Sequence, residues 1–286
     1  MQQERQPSSR LRGWLFVFRY FNSGALSCYD NSWIKKSSQS GGLPISLLIN
    51  ENRMYSSQLN RELEVKWLFS DQLQEGDVQL LLVQDGYYYM KLGGIRETFE
   101  KLLEETPELA RNLVMVTVSP GSPSQRREVY HPNGEHFEAF TNFFYDDVLP
   151  DVQQKLKAIN MNVVKMGAIG DSLAGVISLY LAMKKPEIWS HLMLQSAAFD
   201  EEMAEDARRQ IQQPDWKIYQ VVGQHENNFK SPVTGEIAHI YDGNKSMASV
   251  FEEKDLSLDF HVEDEEHRWI FWKDDLPRAL CFFLKN

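Results

Sequence analysis

Apolar runs of strand length recur along the chain from about residue 60, and helical patterns separate the later ones. Residues 135–159 carry apolar side chains at helical spacing, with Pro150 expected to kink this helix or to join two helices. Further helices are predicted at Leu173–Met183, apolar nearly all round and therefore buried, and at Trp272–Leu284. The predicted strands are Leu63–Phe69, Val78–Val83, Leu113–Val118, Val163–Ala168, Leu192–Leu194, Ile218–Val222 and Leu256–Val262.

Near-continuous apolar strands that alternate with helices are typical of a parallel sheet covered on both faces. The pattern therefore predicts the α/β fold class, with a mostly parallel central sheet. In such sheets the side chains that act on ligands collect at the carboxyl ends of the strands. These strand ends are where we look for chemistry.

Residues 1–54 do not share this pattern. They contain the turn-rich stretch Ser37–Gly42 and no sustained hydrophobic period. We predict an N-terminal extension over residues 1–54, either poorly ordered or a non-native start with Met54 as an alternative beginning. A single α/β domain is predicted over residues 55–286.

The net charge of −11 disfavours nucleic acid and anionic membranes as partners, because both require a positive field. The apolar run Trp14–Phe18 is too short for a signal peptide or a membrane helix, which need about 7–15 and about 20 apolar residues. Cys28 and Cys281 cannot build a disulfide framework and form no Cys-x-x-Cys motif. A cytoplasmic protein is predicted, either a monomer or a homodimer.

The segment Val163–Gly175 carries the strongest chemical signal. A buried strand runs into a tight turn around Ser172, and a buried helix leaves it. This arrangement fits the Gly-x-Ser-x-Gly nucleophile elbow, in which the residues two before and two after the serine must be small. Here they are Gly170 and Ala174. Ser172 is therefore the predicted nucleophile.

A serine hydroxyl needs a base, and the base needs a carboxylate that orients it; in this fold the chain order is Ser, acid, His. Among seven histidines, His267 follows the last predicted strand and precedes the C-terminal helix, so it is the predicted base. Glu226 lies just past the strand Ile218–Val222 and is the predicted acid. Asp242, in the following loop, is the alternative acid.

Two backbone amides are expected to bind the oxyanion of the reaction. The amide of Leu173 follows the nucleophile at a helix N-terminus. The second donor is predicted to be the amide of Gly86 or of Tyr87, in the turn after Val78–Val83, where glycine lets the backbone approach a ligand. The run Tyr87–Tyr89 fits either a pocket wall or the core.

Several of these segments resemble the esterase D and enterochelin esterase-like branch of the α/β hydrolases, over about residues 55–284. The resemblance implies hydrolysis of small-molecule carboxylic esters by a Ser–His–acid triad, without a metal or other cofactor. Ala174 departs from the usual glycine of that family. The segments that carry the resemblance are Gln84–Gly86, Arg127–Pro132, Phe140–Pro150, the Gly-Asp-Ser-Leu-Ala elbow and His267–Pro277.

Members of that branch also include hydrolases of catecholate siderophore lactones, so this substrate is an alternative. Such an enzyme is expected to present cations to its anionic substrate. The residues near the predicted triad are mostly acidic, and the exceptions are Arg126, Arg127, Arg268 and Lys230.

Three other readings remain. Gly170–Leu173 spells the motif of the flavodoxin-like GDSL hydrolases, for which Asp264 and His267 supply Asp-x-x-His, although that fold has its serine after the first strand. A catalytically silent α/β-hydrolase fold used for binding is the second alternative. A metal site is the weakest, because Phe229 stands where a His-Glu-x-x-His motif beginning at His225 needs its second histidine.

Overall fold

The computed structural model of the chain describes residues 45–286. Eight strands form one sheet in the order β1-β2-β4-β3-β5-β6-β7-β10, and β8 and β9 form a separate hairpin. The β1–β2 and β2–β4 pairs are antiparallel, whereas all other pairs of the large sheet are parallel. The strands are β1 Leu47–Ser56, β2 Arg61–Ser70, β3 Gly76–Gln84, β4 Leu113–Ser119, β5 Met161–Asp171, β6 His191–Gln195, β7 Lys217–Gly223, β8 Phe229–Lys230, β9 Ile237–Ala238 and β10 Ser257–Glu263.

Helices cover both faces of this sheet, which confirms the predicted α/β-hydrolase fold with a mostly parallel sheet. The α-helices are α1 Gly86–Lys91, α2 Ile95–Glu105, α3 Pro107–Ala110, α4 Pro123–Tyr130, α5 Phe137–Phe143, α6 Leu149–Ala158, α7 Ser172–Lys184, α8 Glu201–Gln210, α9 Ile240–Glu253 and α10 Trp269–Lys285. Short 3₁₀ turns occur at Pro186–Ile188 and Glu226–Asn228.

Alternate side chains of the central strands feed two apolar layers. In β3, Leu80 and Leu82 pack on the side of α7, whereas Leu81 and Val83 pack on the side of α10. Strands buried on both faces need apolar residues at consecutive positions, which explains the continuous runs in the sequence. The sheet is therefore a rigid platform, and the loops at its carboxyl edge are positioned by a core on each face.

The helical stretch predicted over residues 135–159 consists of α5 and α6, joined by a π-helical segment, Phe144–Val148. Pro150 lies at the start of α6, which fits the predicted alternative that it marks the join between two helices. The π-helical segment shifts the hydrogen-bond pattern just before the proline, with the amide of Leu149 donating to the carbonyl of Phe144, and proline has no amide that needs an acceptor.

β1 begins at Leu47 and pairs with β2 along its whole length, so it crosses the predicted division at residue 54. Its side chains alternate between more and less exposed positions, as in an edge strand with one solvated face. The remainder of the predicted extension, residues 1–44, and Cys28 with it, lies outside the described residues. The division into extension and domain stays a prediction.

Candidate active site

Ser172 lies at the point where β5 ends and α7 begins, and its backbone has a positive φ of 47°. Few residues other than glycine adopt this region, so the turn is strained. A Cβ atom at Gly170 would lie 2.2 Å from the carbonyl oxygen of Ala174, which explains the glycine. The next position without room for a side chain is Gly175, where an added Cβ atom would lie 2.6 Å from the Cβ of Ala197. The alanine at 174 is thus compatible with the elbow.

His267 lies between β10 and α10, and its Nε2 is 3.0 Å from the hydroxyl oxygen of Ser172. Two aromatic rings hold the imidazole: Phe229, with a centroid separation of 4.2 Å, and Trp272, at 4.8 Å with perpendicular planes. Packing on both sides fixes the ring orientation. The nucleophile and the base predicted from the sequence are therefore within hydrogen-bond distance.

Glu226 follows β7 in a 3₁₀ turn and is only 1% exposed. Its Oε2 lies 2.8 Å from Nδ1 of His267, and its Oε1 accepts from the backbone N–H of Gly223 at 2.9 Å and the hydroxyl of Ser196 at 2.7 Å. Both carboxylate oxygens are thus bonded, and an ionised carboxylate here requires the proton on Nδ1. That tautomer leaves Nε2 free to accept from Ser172.

The other candidate acids lie elsewhere. Asp242 is exposed on α9, and its backbone N–H donates to the side chain of Asn227. Asp264, the acid of the GDSL reading, pairs with Nε2 of His225 at 2.6 Å. Of these carboxylates, Glu226 is the one in contact with His267.

Ser196 and Trp272 extend this network, and the sequence did not indicate either role. The indole Nε1 of Trp272 donates to the hydroxyl of Ser196 at 2.9 Å, which leaves the serine proton for Glu226. Ser196 follows β6 directly and has a φ of 44°. The one available signal is its place at the carboxyl end of a central strand.

The three backbone amides predicted to bind the oxyanion have different surroundings in the structure. Leu173 lies in the first turn of α7, where amides lack intrahelical acceptors, and borders the cavity above Ser172. The amide of Tyr87 instead donates to the hydroxyl of Ser119 at 2.9 Å, so it is already engaged. Gly86 is buried against Thr117, whose Cβ would be 2.4 Å from a Cβ at Gly86. Gly86 remains the candidate for the second donor, as a prediction.

A second charged cluster flanks Ser172, and the sequence did not indicate that its members lie together. Arg126 of α4 donates to the carboxylate of Asp85 and, at 3.2 Å, to both the carboxylate and the carbonyl oxygen of Asp171. Both acids are about 1% exposed. Burial raises the pKa of Asp171 and of Asp85, although Arg126 opposes that rise. The sequence offers one hint of this cluster. Asp171 directly precedes Ser172, and a carboxylate that is buried there requires a partner.

A cavity of about 870 Å³ opens above Ser172 and His267. Its volume lies within the range of about 300–1,000 Å³ that is common for small-molecule sites. The three tyrosines divide: Tyr88 borders the cavity, Tyr89 is buried and donates to Gln195, and Tyr87 is exposed. One of the three thus belongs to the wall and another to the core.

Within residues 45–286, no three His, Cys, Asp or Glu side chains are grouped as a metal site requires. No helix in that same range combines the length and the apolarity needed to cross a bilayer.

The family model named Esterase matches residues 56–283 of this chain. The chain belongs to the Esterase family. It is a hydrolase that acts on ester bonds, and the predicted resemblance to an esterase branch of the α/β hydrolases is confirmed. The matched segment includes every residue of the site described above.

Among curated proteins, the chain is similar to the uncharacterized protein YjcH of Bacillus subtilis (strain 168), with 26% identity over 81% of this chain and 95% of YjcH. Among solved structures it is similar to a ferulic acid esterase, with 15% identity, a TM-score of 0.63 and coverage of 84% and 99% of the two chains. It is also similar to the enterobactin esterase FES of Shigella flexneri, with 15% identity and a TM-score of 0.68. That match covers 83% of this chain and 59% of FES. At such identities the structures indicate the shared fold.

Proposed function

We propose that this Esterase family member is a serine carboxylesterase, with Ser172 as nucleophile, His267 as general base and acid, and Glu226 as the orienting carboxylate. The observation that carries the proposal is the continuous hydrogen-bonded line from the hydroxyl of Ser172 through both imidazole nitrogens to Glu226. Because all three side chains are held by packing or by further bonds, the line is organised before substrate arrives.

The reaction takes place in two acyl-transfer steps. His267 accepts the proton of Ser172 as Oγ attacks the ester carbonyl, and the same imidazole then gives that proton to the departing alcohol. The products of this first half are the acyl-enzyme and a free alcohol. Water then loses a proton to His267 and attacks the acyl-enzyme, and the proton returns to Ser172 as the carboxylic acid leaves.

The tetrahedral intermediates carry a negative oxygen that must be stabilised. The amide of Leu173 at the start of α7 supplies one donor, and the dipole of that helix favours negative charge at this end. The amide of Gly86 supplies the second in this proposal.

Replacing Ser172 with Ala tests the nucleophile. We expect kcat on p-nitrophenyl acetate to fall by about 10³-fold or more, because the members of a triad act as a unit. A fluorophosphonate probe should label the unaltered chain and leave Ser172→Ala unlabelled. A loss of less than about tenfold in a folded variant would refute the assignment. Absence of both turnover and labelling in the unaltered chain would favour a silent binding fold.

A siderophore lactone is the second candidate substrate, and it draws support from the fold shared with FES. The charges of this site oppose it. Arg126, whose side chain is largely buried, is bonded to Asp85 and Asp171 and is not free for an anionic catecholate. Turnover of enterobactin at a rate equal to that of a neutral ester would favour this candidate instead.

A further inference from the structure

A small hairpin, residues 229–239, forms part of the wall of the cavity above Ser172; we call it the cavity hairpin. It consists of β8 and β9, which pair antiparallel, and a tip between them. Local bonds shape the tip: the amide of Ser231 donates to the carbonyl of Glu236 at 2.8 Å, and the amide of Thr234 donates to the hydroxyl of Ser231 at 3.2 Å. Local bonds therefore define the shape of this part of the wall.

The cavity hairpin contributes exposed apolar side chains to the wall of the cavity. Val233 is 45% exposed and Ile237 is 59% exposed, and both border the same cavity as Ser172. Exposed apolar surface inside a cavity is stabilised when an apolar ligand covers it. Phe199 and Ile240, both buried, border the cavity as well, so the apolar surface extends into its wall.

The cavity also carries an excess of negative charge at its rim. Four exposed carboxylates border it: Asp200, Glu201, Glu236 and Asp242. Such a rim raises the local concentration of neutral and cationic molecules relative to anionic ones.

The cations that border the cavity do not offset these acids. Arg126 is held by Asp85 and Asp171, and Arg268 pairs with Glu265 at 2.8 Å. Arg127 remains, beside His131, whose pKa is lowered by burial and by that arginine.

We propose that the cavity hairpin selects uncharged esters with a large apolar acyl group, through contacts with Val233 and Ile237. The inference rests on the proposed esterase function and adds the substrate class to it. A cavity of about 870 Å³ is far larger than an acetyl group requires, so a short ester leaves most of the apolar wall in contact with water. A longer acyl chain removes that wall from water, and transition-state binding increases with each methylene buried.

The first test compares p-nitrophenyl octanoate with p-nitrophenyl acetate. We expect the unaltered chain to prefer octanoate, and the double variant Val233→Ser with Ile237→Ser to lower the octanoate-to-acetate ratio of kcat/KM roughly tenfold. Val164→Ser is the matched control, because Val164 is 55% exposed on β5 and does not border the cavity. An unchanged ratio in the double variant, or an equal fall in the control, would overturn the inference.

The second test separates charge from size. Hexanoate and mono-adipate esters of p-nitrophenol differ by a terminal carboxylate, and we expect the anionic ester to have a kcat/KM about tenfold lower at low salt. The difference in kcat/KM between the two esters should become smaller when salt screens the charges at the rim. It should also become smaller in the double variant Glu236→Gln with Asp242→Asn. Equal or faster turnover of the anionic ester would contradict the proposed substrate class.

The two proposals fail in different ways. If acetate and octanoate are both hydrolysed through Ser172 without any preference, the substrate class is wrong and the esterase mechanism stands. If neither ester is hydrolysed and the fluorophosphonate probe does not react, the proposed function itself fails.

Discussion

Buried carboxylates lie on two sides of Ser172, and the groups that bind them differ. On one side, Glu226 has partners for both oxygens, from His267, Ser196 and Gly223. On the other side, Asp85 and Asp171 share one guanidinium, and the Oδ1 atom of each is buried without a hydrogen-bond partner.

Glu226 is suited to orienting another side chain, whereas the cluster around Arg126 is suited to holding segments of the chain together. A carboxylate whose oxygens are all bonded has one orientation, which suits a group that must aim an imidazole. The Asp85–Arg126–Asp171 cluster instead ties α1, α4 and the end of β5 together around the nucleophile turn. Its unpaired oxygens make it costly, so its effects should appear in stability, whereas those of Glu226 should appear in rate.

The largest effect is expected for Glu226→Gln. The amide can donate to Nδ1 and so favours the tautomer that cannot accept from Ser172, and kcat should fall by about 10³- to 10⁴-fold. Steady-state hydrolysis of p-nitrophenyl esters measures this, with a thermal melt to verify the fold. Activity within about tenfold of the unaltered chain would indicate that Glu226 is not the acid, as the GDSL reading requires.

Removing the shared cation should affect stability next most strongly. Arg126→Met leaves Asp85 and Asp171 buried without a counter-charge, and the free energy of unfolding should fall by about 3–5 kcal/mol. Urea titration followed by tryptophan fluorescence measures it. Adding Asp171→Asn to this variant should recover part of the loss. A change below about 1 kcal/mol would show that the cluster does not anchor the elbow.

Ser196→Ala should produce a smaller effect on rate. It removes the hydroxyl that donates to Glu226 and accepts from Trp272, so kcat should fall roughly tenfold while KM changes by less than about twofold. Ser178→Ala is the control, since Ser178 is equally buried but donates to the carbonyl of Ala174 within α7. An equal effect of both variants would point to a general packing role.

The smallest effect concerns pH. Burial raises the pKa of Asp171 in the folded chain, so the folded state holds that proton more tightly than the unfolded one. The free energy of unfolding should therefore fall as pH rises above about 4, the ordinary carboxyl pKa, until the raised pKa is passed. Asp171→Asn should flatten this slope in denaturation measured from pH 4 to 8. An unchanged slope would assign the pH dependence to other groups.

The sequence predicted more of the hydrogen-bonded line from Ser172 through His267 to Glu226 than of its surroundings. The contact among these three side chains could be predicted because each follows a recognisable strand in a fixed chain order. Ser196 and Arg126 could not, because their partners lie 30 and 45 residues away and are defined only by the folded sheet.

All seven predicted strands are present. Six are interior strands with long apolar runs, and the seventh, β10, is an edge strand without a fully buried residue. β1 escaped detection because an edge strand with one solvated face has weaker hydrophobicity, and its pairing with β2 is a tertiary property.

Phe229 packs against the imidazole of His267 and is also the first residue of the cavity hairpin. The hairpin therefore has a root packed against that imidazole and a tip, residues 231–236, whose shape comes from its own local bonds. Changes in length or sequence at the tip would reshape the cavity wall and leave the ring beside His267 in place. A library that randomises only those six positions should yield esterases of new selectivity that retain their turnover.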